Sequence, residues 1–185
     1  FGADLGAEKF FDVTARKGGL HPDAAVLVAT VRALKMHGGQ RKSELGHESL
    51  DALRAGCANL ARHVRNIGLF GVPVVIAINR FDADTDAEIA LLKEQAARLG
   101  CEAVEATHFR DGGAGAEALA RAVQRLADSG HSQFRTLYDD EMPLWDKVCC
   151  VARTIYGAGK VVADQKVLEK LKAGGVQILP PSATL

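Results

Sequence analysis

Apolar positions along the chain form two kinds of pattern. Residues 24–31 are a continuous apolar run bounded by turn residues, which predicts a strand covered on both faces. The run at residues 72–78 predicts a second strand. Between the runs, apolar residues recur every three or four positions, as on one face of an amphipathic helix: Leu50, Leu53, Cys57, Leu60, Val64 and Ile67. Strand, helix and strand together predict a βαβ unit, and Gly56 within the helix indicates close packing.

The alternation of strands and helices continues towards residue 130. Thr85 and Glu88 have the T-x-x-E spacing of a capping box, and the helix that they begin is predicted to end at Gly100. A third strand at residues 103–107 and a helix from about residue 115 to 126 follow. This order predicts an α/β fold with a parallel sheet in a three-layer, Rossmann-like arrangement related to the P-loop NTPases.

The character of the sequence changes after Gly130, where a polar, turn-rich stretch begins. Apolar spacing then predicts a helix over residues 144–156, a short strand at Val161 and Val162, a helix over residues 165–171 and a strand at 176–179. We therefore predict two parts, residues 1–130 and a smaller α/β extension at residues 131–185.

Composition and charge narrow the function classes. The 185 residues carry 23 basic and 23 acidic side chains, which argues against a nucleic-acid partner or a membrane surface bound through bulk charge. No apolar run approaches the ~18 residues of a membrane span. The four cysteines, Cys57, Cys101, Cys149 and Cys150, lack C-x-x-C spacing and are expected to be reduced thiols of a cytoplasmic protein.

Two glycine-containing segments have positions that suit an anion. Residues 2–6, GADLG, precede a helix start, and this order suits either an anion site or a simple capped loop. Residues 30–39 follow the first predicted strand and contain Arg32, Lys35 and His37 before a Gly pair. They are interpreted as a loop that is either solvated or faces an anion.

Polar and aromatic residues follow the second and third predicted strands. Asn79, Arg80 and Phe81 close one strand, and residues 108–111 follow the other before Gly112 and Gly113. The carboxyl ends of parallel strands are where ligands bind. Phe81 and Phe109 therefore either sandwich a flat heterocycle or cover the sheet edge as core residues.

Several longer motifs resemble formate–tetrahydrofolate ligases, also called formyltetrahydrofolate synthetases, over nearly the whole chain. The segments that carry the resemblance are FGADLGAEKFFD, ATVRALKMHGG, FGVPVVIAINRF, THFRDGGAGA and LYDDEMPLWDKV. The resemblance implies an ATP-dependent ligase of one-carbon metabolism that joins formate to tetrahydrofolate. The implied reaction passes through formyl phosphate and gives 10-formyltetrahydrofolate. ATP with Mg²⁺ and tetrahydrofolate are the implied substrates, no tightly bound cofactor is expected, and the complete enzyme is expected to be a homo-oligomer.

The resemblance also implies roles for individual residues. Phe81 matches an aromatic residue that packs on the pterin ring, and Phe109 stands where the family usually has tryptophan. Asp82 stands where many members have proline. The implied nucleotide-phosphate residues are Gly2, Ala3, Asp4, Leu5 and Gly6, and the implied folate residues are Asn79, Arg80, Phe81, Asp82, Phe109, Gly112 and Gly113. No catalytic residue and no metal ligand is assigned.

One family element is missing from these residues. The phosphate-binding G-x-x-x-x-G-K-[ST] pattern does not occur, and Lys9, the lysine closest to a suitable glycine turn, lies outside any such pattern. Phosphoryl transfer depends on such a cradle and a metal. We therefore expect this chain, which starts at Phe1, to be an inactive piece of the ligase. The alternative is a stand-alone folate- or nucleotide-binding domain without catalysis.

Overall fold

The structure is a computed structural model that describes residues 2–3 and 5–174. A π-helical turn, Phe10–Ala15, joins the first two helices, and 3₁₀ turns lie at Lys42–Glu44 and Gly112–Ala116. The elements, numbered in chain order, are α1 Ala7–Lys9, α2 Arg16–Gly18, β1 Ala25–Ala29, α3 Val31–His37, α4 Leu50–Leu69, β2 Val74–Asn79, α5 Asp86–Arg98, β3 Glu102–Ala106, α6 His108–Asp111, α7 Glu117–Asp128, α8 Leu144–Thr154 and α9 Gln165–Ala173.

The backbone packs as two units. One unit is Pro22–Gln133 and contains all three of the strands above, whereas the other combines the segment up to His21 with the segment from Phe134. The division into residues 1–130 and 131–185 remains a prediction about the domains.

The sheet of the Pro22–Gln133 unit is parallel, with the strand order β1-β2-β3. Its register pairs Leu27 with Ile76 and Ile76 with Ala103. Val75, Ile76, Ala77 and Ile78 of the central strand are buried, because neighbouring strands flank β2 on both sides and helices cover the sheet. The predicted parallel-sheet α/β fold is thereby confirmed, and the strand bounds differ from the prediction by one or two residues.

The prediction that the first strand is covered on both faces is wrong for the described residues. Leu27 and Ala29 are buried, but Val26 and Val28, which point to the opposite face, are exposed. β1 is an edge strand of this sheet. A continuous apolar run cannot by itself distinguish a strand covered on two faces from an edge strand covered on one.

The prediction of a basic loop at residues 30–39 is also wrong. These residues contain α3, whose N-cap is Thr30: its Oγ accepts a hydrogen bond from the Ala33 amide at 3.2 Å. Arg32 and His37 lie on the exposed side of this helix, whereas Lys35 points into the core. Helical periodicity places Lys35 beside buried Val31 and Leu34, so the three basic residues do not form one anion-facing loop.

Lys35 and Glu88 form a buried ion pair between α3 and α5. Their exposed fractions are 1% and 0%, and the Lys35 Nζ lies 2.8 Å from Glu88 Oε1. Lys35 also donates to the His47 carbonyl at 2.9 Å, and Glu88 accepts from the Ser49 and Thr85 amides, each at 3.1 Å. Burial alone raises the pKa of Glu88, but the bonds from Lys35, Thr85 and Ser49 outweigh it and bring the pKa below its ordinary value.

Helices α3 and α4 cross so closely that a glycine is required at the crossing. A Cβ atom at Gly56 of α4 would lie 1.8 Å from the Leu34 carbonyl oxygen of α3, and one at Gly38 would lie 1.8 Å from the Ala52 oxygen. The close packing predicted from Gly56 is confirmed, as are the amphipathic helix α4 and the Thr85–Glu88 capping box.

The other unit is held together around Asp12 and Arg16 in the N-terminal helical segment. The Leu137 amide donates to Asp12 Oδ1 at 2.8 Å, and Arg16 donates to Asp140 Oδ1 at 2.6 Å and to the Tyr138 carbonyl. Burial raises the pKa of Asp12 to about 6, although the Leu137 amide and Arg16 act in the opposite direction. These contacts join residues 137–140 to the N-terminal segment.

The C-terminal part contains the two predicted helices, now seen as α8 and α9. The predicted strand at Val161 and Val162 is wrong, since both residues lie in irregular backbone. Two residues form few ladder hydrogen bonds, so their apolar character does not suffice for a strand. The strand predicted at residues 176–179 lies outside the described residues.

Within residues 2–3 and 5–174, no helix has both the length and the apolar character needed to cross a membrane.

We predict that Gly56→Ala destabilises the Pro22–Gln133 unit by about 3 kcal/mol or more, because the added methyl group collides with the α3 backbone. Gly68→Ala in the same helix is the matched control, since a Cβ there meets no atom within 4 Å. It should be neutral or stabilise by up to about 1 kcal/mol. Urea unfolding followed by circular dichroism measures both, and equal effects would contradict the close crossing.

Lys35→Met should lower the free energy of unfolding by about 3–5 kcal/mol, because it leaves the Glu88 carboxylate buried without its cation. The double variant Lys35→Met/Glu88→Gln should recover part of this loss. Arg121→Met, which breaks the exposed Arg121–Glu117 pair, should cost less than about 0.5 kcal/mol. A loss as small for Lys35→Met would show that the buried pair has little effect on stability.

Asp12 should make the stability of its unit depend on pH. Its pKa is raised from 3.8 to about 6, so its contribution to stability is complete below about pH 3.8 and is lost as the pH rises through about 6. The loss is on the order of 3 kcal/mol. Asp12→Asn is the reference variant, because its side chain cannot ionise but keeps an oxygen for the Leu137 amide.

The measurement is denaturation at pH 4 and at pH 7.5, followed by the fluorescence of Trp145, which lies in α8 of the same unit. Relative to Asp12→Asn, the wild-type chain should lose about 2.5 kcal/mol between the two pH values, because part of the total loss already occurs below pH 4. A difference that does not change with pH would show that Asp12 titrates normally.

Candidate functional site

The candidate site lies where β2 and β3 end side by side. The register pairs Asn79 with Ala106, the last residues of the two strands. The Arg80 amide then donates to the Ala106 carbonyl at 3.3 Å and extends the pairing by one bond. Parallel strands therefore deliver the loop after β2 and helix α6 after β3 to the same edge of the sheet.

The first wall of the site is the turn at residues 81–84. Phe81 donates its amide to Asp84 Oδ2 at 2.8 Å, and the Asp84 amide donates back to the Phe81 carbonyl at 3.0 Å. Thr85 directly after this turn caps α5 together with Glu88. Phe81 is 38% exposed and lines the surface cleft described below.

Arg80 is held by carboxylates on both sides of the strand ends. Its guanidinium lies 2.6 Å from Asp86 Oδ1 and 2.9 Å from Glu105 Oε2. Glu105 also pairs with Lys93 at 2.5 Å, and the bonds from Lys93 and Arg80 hold the pKa of Glu105 below its ordinary value. Arg80 thus ties the loop after β2 to β3 and to the first turn of α5.

The second wall is α6 with the residue before it. Thr107 donates its amide to the Gly115 carbonyl at 3.0 Å, and a Cβ at Gly115 would lie 2.6 Å from the Thr107 carbonyl carbon. This close return of the chain fixes the start of α6. The helix carries Phe109, which is 90% exposed, and Arg110, which pairs with Asp111 at 3.0 Å.

A cleft of about 160 Å³ lies between these walls, lined by Arg80, Phe81, Asp82, Thr107, Phe109 and Arg110. Two aromatic rings supply its apolar surface, and the charged groups of Asp82 and Arg110, 4.0 Å apart, lie at its rim. Exposure of phenyl rings to water is unfavourable, so a ligand that covers them lowers the free energy. The arrangement suits a flat, partly apolar ligand with polar edges.

The structure brings together four of the predicted folate residues in this cleft: Arg80, Phe81, Asp82 and Phe109. Asn79 is the last residue of β2, and Gly112 and Gly113 begin the 3₁₀ turn that follows α6. The interpretation of Phe81 and Phe109 as core residues is wrong, since both are exposed. The sequence reasoning missed Thr107 and Arg110, although their position after the third strand is a signal for the same edge.

The predicted phosphate segment belongs to the other unit. Asp4 lies outside the described residues. Among its neighbours, Leu5 is exposed and donates its amide to the Gly2 carbonyl at 3.3 Å, Ala3 lies in a turn, and Gly6 precedes α1. The binding roles predicted for this segment and for the cleft residues remain predictions.

The same unit contains a larger cavity of about 440 Å³ with mainly aliphatic and tyrosine walls. Its polar lining includes Glu8, which accepts a hydrogen bond from the Tyr156 hydroxyl at 2.9 Å. Burial, followed by this bond, raises the pKa of Tyr156 to about 12. In residues 2–3 and 5–174, no cluster of three or more His, Cys, Asp or Glu side chains is arranged to hold a metal ion.

The fold and the cleft define a parallel-sheet α/β protein with an aromatic cleft at the carboxyl edge of its strands. A family model described as formate–tetrahydrofolate ligase matches residues 1–180, and the chain belongs to this family.

Relatives named formate–tetrahydrofolate ligase confirm the membership. Those of Sinorhizobium fredii and Rhizobium meliloti are 58% and 56% identical over 172 residues, which is 93% of this chain. That of Allorhizobium ampelinum is 59% identical over 171 residues, or 92% of this chain. The chain spans 31% of the length of each of these relatives.

Proposed function

We propose that this chain is the folate-side part of an ATP-dependent ligase that joins formate to tetrahydrofolate. The observation that carries the proposal is the pair of exposed rings, Phe81 and Phe109, on the two walls of one cleft. Family membership supplies the ligand class, and the strand-end position agrees with it because α/β sheets bind ligands at this edge.

In this proposal the pterin ring inserts between the two phenyl rings. Offset stacking contributes about 0.5–1.5 kcal/mol per ring beyond the burial of apolar surface. Complete ligand pockets usually measure about 300–1,000 Å³, so a cleft of about 160 Å³ is smaller than a site for the whole folate. In this proposal only the ring enters the cleft, and the rest of the folate lies outside it. Asp82 and Arg110 at the rim are placed to meet polar edges of the ligand.

The chemistry in this proposal has two steps. ATP phosphorylates formate to formyl phosphate and leaves as ADP, and the N10 amine of tetrahydrofolate then attacks the formyl carbon and releases inorganic phosphate. The cleft holds and orients the folate for the second step. Residues Gly2, Ala3, Asp4, Leu5 and Gly6 are proposed to lie beside the nucleotide phosphates, with Mg²⁺ supplying charge neutralisation.

The chain alone is proposed to be catalytically inactive. It has no G-x-x-x-x-G-K-[ST] pattern, and phosphoryl transfer needs such a cradle. The chain also spans only 31% of its relatives. We propose that the rest of the ligase supplies the phosphate cradle, and that the complete enzyme is a cytoplasmic homo-oligomer. The missing pattern equally favours a second candidate, a stand-alone folate-binding domain without catalysis.

Substitutions at Phe109 should change the affinity for tetrahydrofolate in both directions. Phe109→Ala removes one stacking face and should raise the Kd of this chain about tenfold, whereas Phe109→Trp adds ring area and should lower it about two- to fivefold. Isothermal titration calorimetry with tetrahydrofolate measures both. Val28→Ala, an exposed apolar side chain on β1, is the control and should leave the Kd unchanged.

The wild-type chain should bind tetrahydrofolate saturably and should hydrolyse no ATP. Turnover of formate, ATP and tetrahydrofolate should occur with the complete ligase in a parallel assay. Absence of folate binding by the wild-type chain, or equal Kd values for the two Phe109 variants, would count against the cleft as the folate site.

A further inference from the structure

Asp84 is a buried carboxylate directly behind the Phe81 wall of the cleft. It is 5% exposed, and its Oδ2 accepts the Phe81 amide at 2.8 Å. The return bond from the Asp84 amide to the Phe81 carbonyl, 3.0 Å long, closes the turn. Phe81 is 38% exposed, so burial supplies only part of what holds its ring in place. The backbone of this turn therefore determines much of where the ring lies.

A capping role does not explain the Asp84 side chain. Helix α5 already has Thr85 as its N-cap, and the Thr85 hydroxyl accepts from the Glu88 amide at 3.2 Å while Glu88 accepts from the Thr85 amide. The Asp84 carboxylate instead accepts a hydrogen bond from the Phe81 amide. Its contribution is to the turn that carries the ring.

Placing a carboxylate here has an energetic cost. Burial raises the pKa of Asp84, and the Glu88 carboxylate adds to this rise, while the Phe81 amide, Lys35 and Arg80 partly oppose it. A buried charge is tolerated where it is hydrogen-bonded and near cations. The bond to Phe81 is the direct contact through which this buried group acts on the cleft.

We propose that Asp84 is the positioning residue of the cleft: its carboxylate fixes the Phe81 backbone and so holds the Phe81 ring in the cleft that Phe109 also lines. This inference rests on the proposed function for the identity of the ligand. The positioning itself concerns the chain without ligand.

Hydrogen exchange at the Phe81 amide tests the positioning without any ligand. In the wild-type chain this amide should be protected, because it donates to a buried oxygen. Asp84→Ala should raise its exchange rate at least about tenfold, whereas Asp84→Asn keeps an acceptor oxygen and should retain most of the protection. An unprotected Phe81 amide in the wild-type chain would overturn the proposal.

Calorimetric titration with tetrahydrofolate tests the consequence for binding. Asp84→Ala should raise the Kd about tenfold, and Asp84→Asn should stay within about twofold of wild type. Ser132→Ala is the matched control, since it also removes one side-chain hydrogen bond, from Ser132 Oγ to the Pro22 carbonyl, but at the turn before β1. It should reduce stability and leave the Kd unchanged.

The two measurements separate the failure of this proposal from failure of the proposed function. If the wild-type chain does not bind tetrahydrofolate, the proposed function fails. Hydrogen exchange at the Phe81 amide still decides whether Asp84 positions this turn. If Asp84→Ala exposes the Phe81 amide but binds as tightly as wild type, the positioning role is overturned and the folate site stands. Should Asp84→Ala fail to fold, Asp84→Glu, which keeps the charge but displaces the oxygen, replaces it with the same expected losses.

Discussion

The ion pair between Lys35 and Glu88 is the contact on which the architecture around the cleft depends. It is fully buried, and it joins α3, residues 47–49 and the first turn of α5 through four hydrogen bonds. A buried ion pair that also makes hydrogen bonds to backbone groups resists rearrangement, because any movement leaves a charge unpaired in the core. The start of α5 is therefore held in place, and with it the turn at residues 81–84 that precedes it.

The cleft follows from this anchor and from the register of the sheet. Pairing of Asn79 with Ala106 brings the ends of β2 and β3 together, and Arg80 joins the two ends through Asp86 and Glu105. The charged groups around the cleft thus largely pair with one another. The two phenyl rings are left as the exposed apolar surface, which is the combination expected for a site that recognises a flat ligand by stacking.

Sequence patterns predicted the elements of this region well because their signals are local. The capping box at Thr85 and Glu88, the amphipathic α4 and the close packing at Gly56 are each confirmed. The basic cluster at Arg32, Lys35 and His37 misled the interpretation, since only the partner on α5 makes Lys35 a core residue. The one-sided burial of β1 and the exposure of Phe81 and Phe109 were equally beyond local patterns, because burial depends on which elements pack on a segment.

By itself, the sequence determined the alternation of strands and helices, the parallel sheet and the family, because hydrophobic period, capping residues and long motifs are properties of neighbouring residues. The tertiary structure decided which charges are paired, which aromatic rings remain exposed, and that Thr107 and Arg110 join Phe81 and Phe109 in one cleft. It also decided that Asp84 contacts the Phe81 amide. These are relations between surfaces brought together by sheet register and helix crossing, and the free energy of burying each group depends on that assembly.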